Sequence, residues 1–349
     1  MPPTDFAPRL LAWFEDHGRR DLPWQHPRTP YRTWLAEVML QQTRVETVIP
    51  YFQRFVQALP ELPDLAAASE ERVLALWSGL GYYRRARQLH AAARLCMERH
   101  HGRLPEQHEA LAALPGIGRS TAAAIRAQAF GQPDPILDGN VRRVLCRLHG
   151  IEGWPGRREV ENRLWELAAR LMPAQRCADY TQALMDFGAT WCSRAMPRCK
   201  ACPFASDCVA WTTGRVETLP TPRPARPLPQ RRCLMLVLRD ASGKILLQRR
   251  DRPGVWQGLW SLPEFASKAA MERFAQALGA ASKARRLAPL QHAFSHYRLR
   301  IQPYLQAVPA APARIGDNPA LRWTAPAELP DTGLPAPVRR LLDQLEEAS

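Results

Sequence analysis

A proline-rich stretch divides this chain of 349 residues into two parts with different patterns. The stretch runs from Thr213 to Arg232 and holds five prolines in 20 residues, which favours an extended linker. Before it, apolar residues recur at intervals of three and four, as on amphipathic helices, whereas strand-like runs follow it. The chain is therefore predicted to be multidomain, with an all-α part at residues 1–212, a linker at 213–232 and an α/β part at 233–349.

Local patterns locate the elements of each part. After the linker, the runs CLMLVLRD and KILLQRR flank a turn at residues 241–244 and predict a hairpin. A helix near Lys268–Leu278, a strand over Tyr297–Leu305 and a final helix near Ala336–Leu345 follow. Before the linker, helices are predicted over Tyr31–Thr43, Glu70–Trp77, Arg85–Met97, Arg119–Phe130, Val141–Leu148, Glu159–Leu171 and Asp179–Trp191.

The net charge of +15 indicates a polyanionic partner. Of the 48 basic residues 44 are arginine, whose rigid guanidinium suits phosphate, although a genome rich in arginine codons would explain this ratio equally well. Residues 213–349 hold 21 basic and 11 acidic side chains, so most of the excess charge lies there. A polyanion is therefore expected to contact both parts.

The chain has no sequence feature of a membrane or secreted protein. It contains no apolar run of 18 residues, which argues against a membrane span. Asp5, Glu15 and Asp16 interrupt the N-terminal apolar stretch, unlike a signal peptide. We expect a cytoplasmic monomer with no membrane partner.

Four of the eight cysteines form a compact group: Cys192, Cys199, Cys202 and Cys208. Four soft thiolates within 17 residues can enclose one tetrahedral zinc ion or one four-iron cluster. The spacing leaves both open, although only one CxxC pair is present where zinc sites favour two. The other cysteines are dispersed and are interpreted as core thiols.

The run Leu114–Gly118, LPGIG, lies between two predicted helices at about residues 108–130. Gly116 and Gly118 allow a tight turn that points backbone N–H groups outward, and the next helix begins there. Such a turn can hold a phosphate, which is typical of a helix-hairpin-helix that contacts the DNA backbone. The alternative is an ordinary glycine helix cap.

Two carboxylates suggest acid–base chemistry. Glu37 lies about two turns inside a helix that Thr29 and Pro30 begin, in a partly apolar setting that should raise its pKa. Asp138 precedes a helix whose N–H groups should keep it ionised, although it would equally serve as an ordinary N-cap. A protonated carboxyl beside an ionised one can break a glycosidic bond.

Aromatic and amide side chains accompany arginines at two further places. Tyr82 precedes the basic run Arg84–Arg87, and Gln42 and Thr43 lie at the end of the predicted helix of Glu37. Stacking groups beside arginine suit a disturbed duplex. The alternative for Arg84–Arg87 is a solvated basic helix face.

In order along the chain, these features resemble helix-hairpin-helix DNA glycosylases that end in a four-iron cluster, and most closely the MutY-type adenine DNA glycosylases. The strings WLAEVMLQQTRVETVIPYF, WSGLGYYRRARQLH, LPGIGRSTA and PILDGNVRRVLCR carry the resemblance. It implies a helical catalytic domain with an iron–sulfur loop at 192–208 and a C-terminal α/β Nudix-like domain.

The resemblance also implies a role for each matching position. Glu37 would protonate adenine, Asp138 would stabilise the sugar cation, and Asn140 would position Asp138. Gln42, Thr43 and Tyr82 would contact DNA beside the oxidised guanine, and Gly116 and Gly118 would hold backbone phosphate. The four grouped cysteines, Cys192, Cys199, Cys202 and Cys208, would ligate a [4Fe-4S] cluster.

Position 120, which also faces DNA in the family, separates two branches of the superfamily. The endonuclease III branch, which removes oxidised pyrimidines, has a nucleophilic lysine after LPGxGR, whereas this chain has Ser120. A hydroxyl cannot form the imine that strand cleavage needs, so a monofunctional glycosylase is expected.

The part after the linker resembles the Nudix-related domain that reads oxidised guanine. Its Nudix box retains only Glu272 of the expected acidic residues, which argues against magnesium binding and pyrophosphate hydrolysis. Phe294, Ser295 and His296 match the Phe-Ser-His loop of the family, although His296 alone would be an ordinary surface histidine.

Together these features predict a nucleoid-associated repair enzyme that removes adenine opposite 8-oxoguanine or guanine in double-stranded DNA. The alternatives are an endonuclease III-like glycosylase, a catalytically inactive lesion-binding protein and an oxidised-nucleotide hydrolase. Ser120 argues against the endonuclease III-like glycosylase, and the two carboxylates argue against an inactive binding protein. The incomplete Nudix box argues against a nucleotide hydrolase.

Overall fold

The fold comes from a computed structural model that describes residues 3–224, 227–252, 254–309 and 318–347. The chain forms two compact units, one of residues 1–66 with 91–225 and the other of residues 67–90 with 226–349. Parts of the sequence-predicted domains and linker, namely residues 1–2, 225–226, 253, 310–317 and 348–349, lie outside the described residues. Within the described part, no helix is both long and apolar enough to span a membrane.

Helices account for nearly all regular structure before residue 213, as the sequence predicts. The last predicted helix is shorter than expected, because α11 ends at Asp186 and a π-helical turn, Phe187–Trp191, follows it. The helices are α1 Pro3–His17, α2 Pro30–Leu40, α3 Val45–Ala58, α4 Leu62–Ala67, α5 Glu70–Leu76, α6 Arg84–Arg99, α7 His108–Ala112, α8 Arg119–Phe130, α9 Gly139–His149, α10 Arg158–Leu171, α11 Cys177–Asp186 and α12 Val209–Thr212.

One core of the first unit joins α1 to helices α8–α11 and to the cysteine loop. Phe204, which lies between Cys202 and Cys208, is almost completely buried in this core. Its ring packs 5.0 Å from that of Phe6 and 5.4 Å, edge to face, from that of Phe187. Burial of one phenylalanine contributes about 1.5–3 kcal/mol, so Phe204 anchors the loop to the helices.

The first residues of the predicted linker are hydrogen-bonded to the helices of the first unit. The guanidinium of Arg147, on α9, donates to the carbonyl oxygens of Val216 at 3.0 Å and Leu219 at 2.9 Å. Leu219 is buried. At its other end the predicted linker gives way to a strand at Gln230, so both ends are more ordered than the proline content suggests.

A mixed sheet forms the second unit and confirms the predicted α/β class. In its centre β1 runs parallel to β7, with Arg232 opposite Arg300 and Leu236 opposite Tyr304. The other described pairings are antiparallel, and α13 Lys268–Ala277 and α14 Ala336–Glu347 accompany the sheet. The strands are β1 Gln230–Arg239, β2 Ile245–Arg249, β3 Trp260–Ser261, β4 Glu264–Phe265, β5 Arg285–Arg286, β6 Leu290–Ala293, β7 Arg298–Ala307 and β8 Leu321–Thr324.

The predicted hairpin between β1 and β2 is confirmed, with Arg239 opposite Ile245. Its turn closes on Asp240, whose carboxylate accepts from the backbone N–H groups of Ser242 at 2.9 Å and Lys244 at 2.8 Å. Gly243 has a φ of +85°, which a residue with a side chain rarely adopts. The aspartate and the glycine together therefore determine the turn.

Residues 67–90 pack with the sheet although they lie far from it in sequence. The hydroxyl of Tyr83 donates to the carbonyl of Leu334 at 3.0 Å. The carboxylate of Glu71 accepts from the indole of Trp260 at 2.9 Å and from Arg322 at 3.0 Å. The sequence-based boundary at residue 212 did not anticipate this packing, because its contacts are long-range.

Candidate active site and DNA interface

Glu37 occupies the position in α2 that the sequence predicts. Thr29 caps the helix by accepting from the N–H of Arg32 at 3.2 Å, and Pro30 begins it. Glu37 is two turns further on, between the buried residues Ala36 and Val38. No capping role is possible at this depth, so its carboxyl group is available for other chemistry.

The surroundings of Glu37 favour its protonated form. Burial raises the pKa of the carboxyl group, a hydrogen bond from Gln128 lowers it, and the nearby charge of Asp138 raises it, so that the pKa is about 7. That bond runs from Nε2 of Gln128 to Oε1 of Glu37 over 2.7 Å. A carboxylic acid with this pKa holds a proton near neutral pH and can donate it.

Asp138 directly precedes α9, as predicted, and it is the N-cap of that helix, as the alternative interpretation stated. Its Oδ1 accepts from the N–H of Val141 at 2.7 Å. Burial raises its pKa above the usual range, and the backbone N–H groups of Val141 and Asn140 and the charges of Arg143 and Arg142 oppose that shift. The sequence shows the helix terminus that favours ionisation but not the burial that acts against it.

Asn140 is held by contacts to the π-helical turn. Arg143 donates to Oδ1 of Asn140 at 2.8 Å, to the carbonyl of Gly188 at 2.6 Å and to the carbonyl of Cys192 at 2.8 Å. Gly188 leaves no room for a side chain, since an added Cβ would lie 2.7 Å from Cβ of Asn140. The residues after Asp138 are thus packed directly against the segment that leads into the cysteine loop.

Ser120 supports the backbone that leads to Asp138. Its hydroxyl accepts from the N–H of Leu137 at 3.0 Å. Ser120 lies in the first turn of α8, and Leu137 directly precedes Asp138. This hydrogen bond therefore connects the backbone before Asp138 to α8. The sequence shows only that Ser120 cannot form an imine.

The run Leu114–Gly118 forms the predicted turn between α7 and α8. Gly116 has a φ of +81°, and the buried Ile117 anchors the turn. Gly118 is the N-cap of α8, without a side-chain cap bond, and nothing lies within 4 Å of where its Cβ would be. The start of α8 therefore faces open space and offers N–H groups to an anion.

Two predicted DNA-contacting residues have left-handed backbones. Gln42 has a φ of 59° and is exposed, with the half-buried Thr43 after it. Tyr82, in the other unit, has a φ of 51° and a side chain that is 49% exposed, and the guanidinium of Arg85 lies 5.3 Å from its ring. Such conformations cost energy in residues other than glycine and cluster at functional positions.

The four grouped cysteines line one pocket that opens to solvent. Each is half-buried, and Arg147, Trp191 and Arg198 complete the wall. Among the described residues, no three His, Cys, Asp or Glu side chains are arranged to hold a single metal ion. Four soft thiols around one pocket fit the donor set of an iron–sulfur cluster.

Positive charge lies beside these thiols. Arg147 is buried and donates to the carbonyls of Cys192 and Ser193, the second at 2.7 Å, and its Nη1 lies 3.6 Å from Sγ of Cys192. Burial, opposed by a hydrogen bond from the backbone N–H of Phe204 and supported by the other three thiols, raises the pKa of the Cys202 thiol to about 11. A bound cation would reverse this effect, because metal-bound cysteines are thiolates.

The predicted reading loop, Phe294–His296, connects β6 and β7. Ser295 and His296 are exposed, and Oγ of Ser295 lies 3.4 Å from Nδ1 of His296. The ring of Phe294 packs 5.2 Å from Trp256 and 4.6 Å from Tyr297. Packed aromatic side chains therefore support two exposed polar side chains.

The retained acid of the Nudix box has a structural partner. Glu272 lies exposed on α13, and its carboxylate pairs with Lys268 at 3.4 Å. This pair joins residues four apart on one helix, an ordinary surface arrangement.

Sequence reasoning missed Gln128, Arg143 and Trp256. Gln128 had a signal, since it is a polar residue within the alanine-rich buried face of α8. Arg143 was not distinguishable among 44 arginines, and the φ of 63° at the buried Trp256 has no sequence signature.

Comparison with known proteins agrees with this geometry. Residues 35–170 match the family described as HhH-GPD superfamily base excision DNA repair protein, and residues 234–344 match the NUDIX domain family. A thermostable thymine-DNA glycosylase of known structure shares 30% identity with a TM-score of 0.55, over 60% of this chain and 97% of that one. A non-covalent endonuclease III–DNA complex, at 23% identity and a TM-score of 0.52, shows the same fold over 60% of this chain and 94% of that one.

Two curated relatives extend the likeness across both parts of the chain. An adenine DNA glycosylase of Buchnera aphidicola, from the Acyrthosiphon pisum strain, is 33% identical over 343 residues, covering 98% of each chain. An adenine DNA glycosylase of Homo sapiens is 35% identical over 388 residues, covering 93% of this chain and 71% of the relative. With the helix-hairpin-helix and Nudix-like parts in the same order, the chain belongs to the adenine DNA glycosylase family of base excision repair proteins.

Proposed function

We propose that the protein hydrolyses the N-glycosidic bond of adenine paired with 8-oxoguanine or guanine in duplex DNA. The observation that carries this proposal is the pair Glu37 and Asp138, two half-buried carboxyl groups whose pKa values are both raised, with the charge of Asp138 contributing to the shift at Glu37. One neutral and one charged carboxyl group are what cleavage through an oxocarbenium-like state requires. The protein would act as a monomer on DNA in the cytoplasm.

Gln128 determines which oxygen of Glu37 can carry the proton. Its Nε2 donates to Oε1 of Glu37, and an oxygen that accepts this bond is best left unprotonated. The acidic proton would therefore reside on Oε2. Glu37 would donate it to the departing adenine, whose bond to the sugar breaks as the ring gains the proton.

Asp138 would respond to the positive charge that develops on the sugar. Burial disfavours its charge in the free protein, but a neighbouring cation lowers the pKa of a carboxyl group. The backbone N–H of Val141 remains bound to Oδ1, so the carboxylate keeps its orientation. Asn140 and Arg143 hold the start of α9 against the π-helical turn.

The adenine must leave the base stack before these groups can reach it. The turn at Gly116 and Gly118 would hold one backbone phosphate, while Gln42, Thr43 and Tyr82 would occupy the disturbed duplex. The strained and exposed backbones of Gln42 and Tyr82 support this role. Ser120 would adjoin the DNA without reacting with it, so the protein would leave an intact strand after base release.

The loop Phe294–His296 would recognise the oxidised guanine in the opposite strand. Its exposed serine and histidine offer hydrogen bonds, and the aromatic residues beneath it fix its position. This arrangement supports a reading function for the second unit.

Cys192, Cys199, Cys202 and Cys208 would hold a [4Fe-4S] cluster. When bound, the cluster would supply positive charge from iron to four thiolates and would cross-link the loop. The basic residues Arg194, Arg198 and Lys200 of this loop would then face DNA phosphate. The common pocket of the four thiols supports this assignment.

Replacing Glu37 with Gln should abolish adenine release, because the amide cannot donate a carboxylic proton. Duplex binding should remain close to that of the original protein. Single-turnover release from a duplex with adenine opposite 8-oxoguanine measures the effect, and Glu46→Gln, an exposed change in α3, is the matched control. A rate within about tenfold of the original, roughly 1.4 kcal/mol of barrier, would contradict the assignment.

The original protein should also lose activity as the pH rises above about 7, where Glu37 loses its proton.

The substitution Gln128→Leu should raise the pKa of Glu37 above about 7, because it removes the hydrogen bond that stabilises the carboxylate. The alkaline limb of the pH–rate profile should move to higher pH, and a carboxyl NMR titration of Glu37 should move with it. Gln107→Leu, an exposed change outside this contact, should leave both unchanged. A profile that stays in place in the Gln128 variant would argue against the assigned bond.

Replacing Phe294, Ser295 and His296 with alanine should lower the preference for adenine opposite 8-oxoguanine over adenine opposite guanine. The reason is that the loop would contact 8-oxoguanine, so only the duplex with the oxidised base would lose contacts. Release rates from the two duplexes, measured with the same preparation, give the ratio. An unchanged ratio would refute the reading role of this loop.

Replacing Cys199 with Ser should lower the iron content of the purified protein and its visible thiolate–iron absorbance. Cys233→Ser, which changes a half-buried cysteine on β1, should affect neither. Metal analysis and absorption spectra of anaerobically purified protein provide the measurement. Stoichiometric zinc in freshly prepared protein would overturn the cluster assignment.

A further inference from the structure

Three exposed arginines lie together on one face of the sheet of the second unit. Arg298 and Arg300 are two residues apart on β7, and Leu299 and Ile301, which alternate with them, are buried. Arg232 on β1 is the parallel partner of Arg300. Because paired residues of neighbouring strands point to the same side, all three guanidinium groups rise from the same face.

This face is covered only over part of its length. Further along β1, Leu236 and Leu238 have the same alternation as Arg232, and they pack against Met271 and Ala275 of α13. The arginines occupy the stretch before that apolar contact begins, and each of them is exposed. The helix therefore covers the apolar portion of the face and leaves the basic portion open.

The three arginines lack acidic partners among the described residues, in contrast to other arginines of this unit. Arg250 pairs with Glu264 at 2.6 Å, and Arg322 pairs with Glu71 at 3.0 Å. Like charges on directly paired strand residues repel and destabilise a sheet. A bound polyanion would offset this repulsion, because each guanidinium group would be attracted to a phosphate group.

The basic patch lies directly beside the loop Phe294–His296. Arg298 follows His296 by two residues and pairs across the strands with Ala293, while Arg300 pairs with Gln291. The partners on β6 are thus small or uncharged and leave the guanidinium groups accessible. Guanidinium binds phosphate through two parallel hydrogen bonds, so each arginine suits one backbone phosphate.

We propose that Arg232, Arg298 and Arg300 form a phosphate-binding surface for the DNA strand whose base the loop Phe294–His296 reads. The surface would hold that strand in register with the loop without reading its sequence. This inference rests on the proposed function, since it assigns the strand by its position next to the reading loop.

The test compares two double variants of the full-length protein that each remove two positive charges. Arg298→Gln with Arg300→Gln alters the surface, and Arg273→Gln with Lys283→Gln alters exposed residues outside it. Binding to an undamaged duplex is measured by fluorescence anisotropy over a series of NaCl concentrations. Each lost phosphate contact should lower the slope of log affinity against log salt by about 0.9, so the first variant should lose about 1.8 and the second almost nothing.

Two further outcomes complete the test. Arg298→Lys with Arg300→Lys keeps the charge and should retain most of the salt slope, which excludes misfolding as the cause. Equal slopes in the two neutralised variants, or an unchanged slope in the first, would overturn the phosphate-binding surface. Adenine release by the original protein is measured separately. If no adenine is released, the proposed function is refuted, but the salt slopes still show whether the arginines bind phosphate.

Discussion

The first unit depends on a buried positive charge in the last turn of α9. Arg147 is 4% exposed and finds no carboxylate partner among the described residues. Its donors bind the carbonyls of Ser193, Val216 and Leu219 instead. A buried charge costs several kcal/mol unless it is compensated, so these carbonyls must stay in place. One side chain thereby positions both the beginning of the cysteine loop and the chain that leaves the unit.

The same helix connects the cysteine loop with the carboxylate at its start. Asp138 caps the first turn of α9, Arg143 bonds to Cys192 from the second turn, and Arg147 follows one turn later. Spacing by about one turn places the two arginines on the same side of the helix. The cysteine loop and Asp138 are therefore attached to the same helix.

Much of the fold and the site could be predicted from local patterns. Thr29 and Pro30 mark the start of α2, and the continuous apolar run in CLMLVLRD identifies a strand of the sheet, so Glu37 and the hairpin were placed correctly. The contact from Gln128 to Glu37 could not be predicted in this way. It joins residues 91 positions apart, and its existence depends on how α2 packs against α8. The packing of residues 67–90 with the sheet escaped prediction for the same reason.

The sequence by itself determined which chemical groups are present and on which element each one lies. Two carboxyl groups, four grouped thiols, a glycine turn and a serine at position 120 follow from residue identity and helical or strand periodicity. Only the tertiary structure decided how those groups behave. Burial raises the pKa of both Glu37 and Asp138, and strand register brings Arg232 beside Arg300. Desolvation and charge proximity depend on the three-dimensional arrangement of the residues. Residues distant in the chain create them only after the chain has folded.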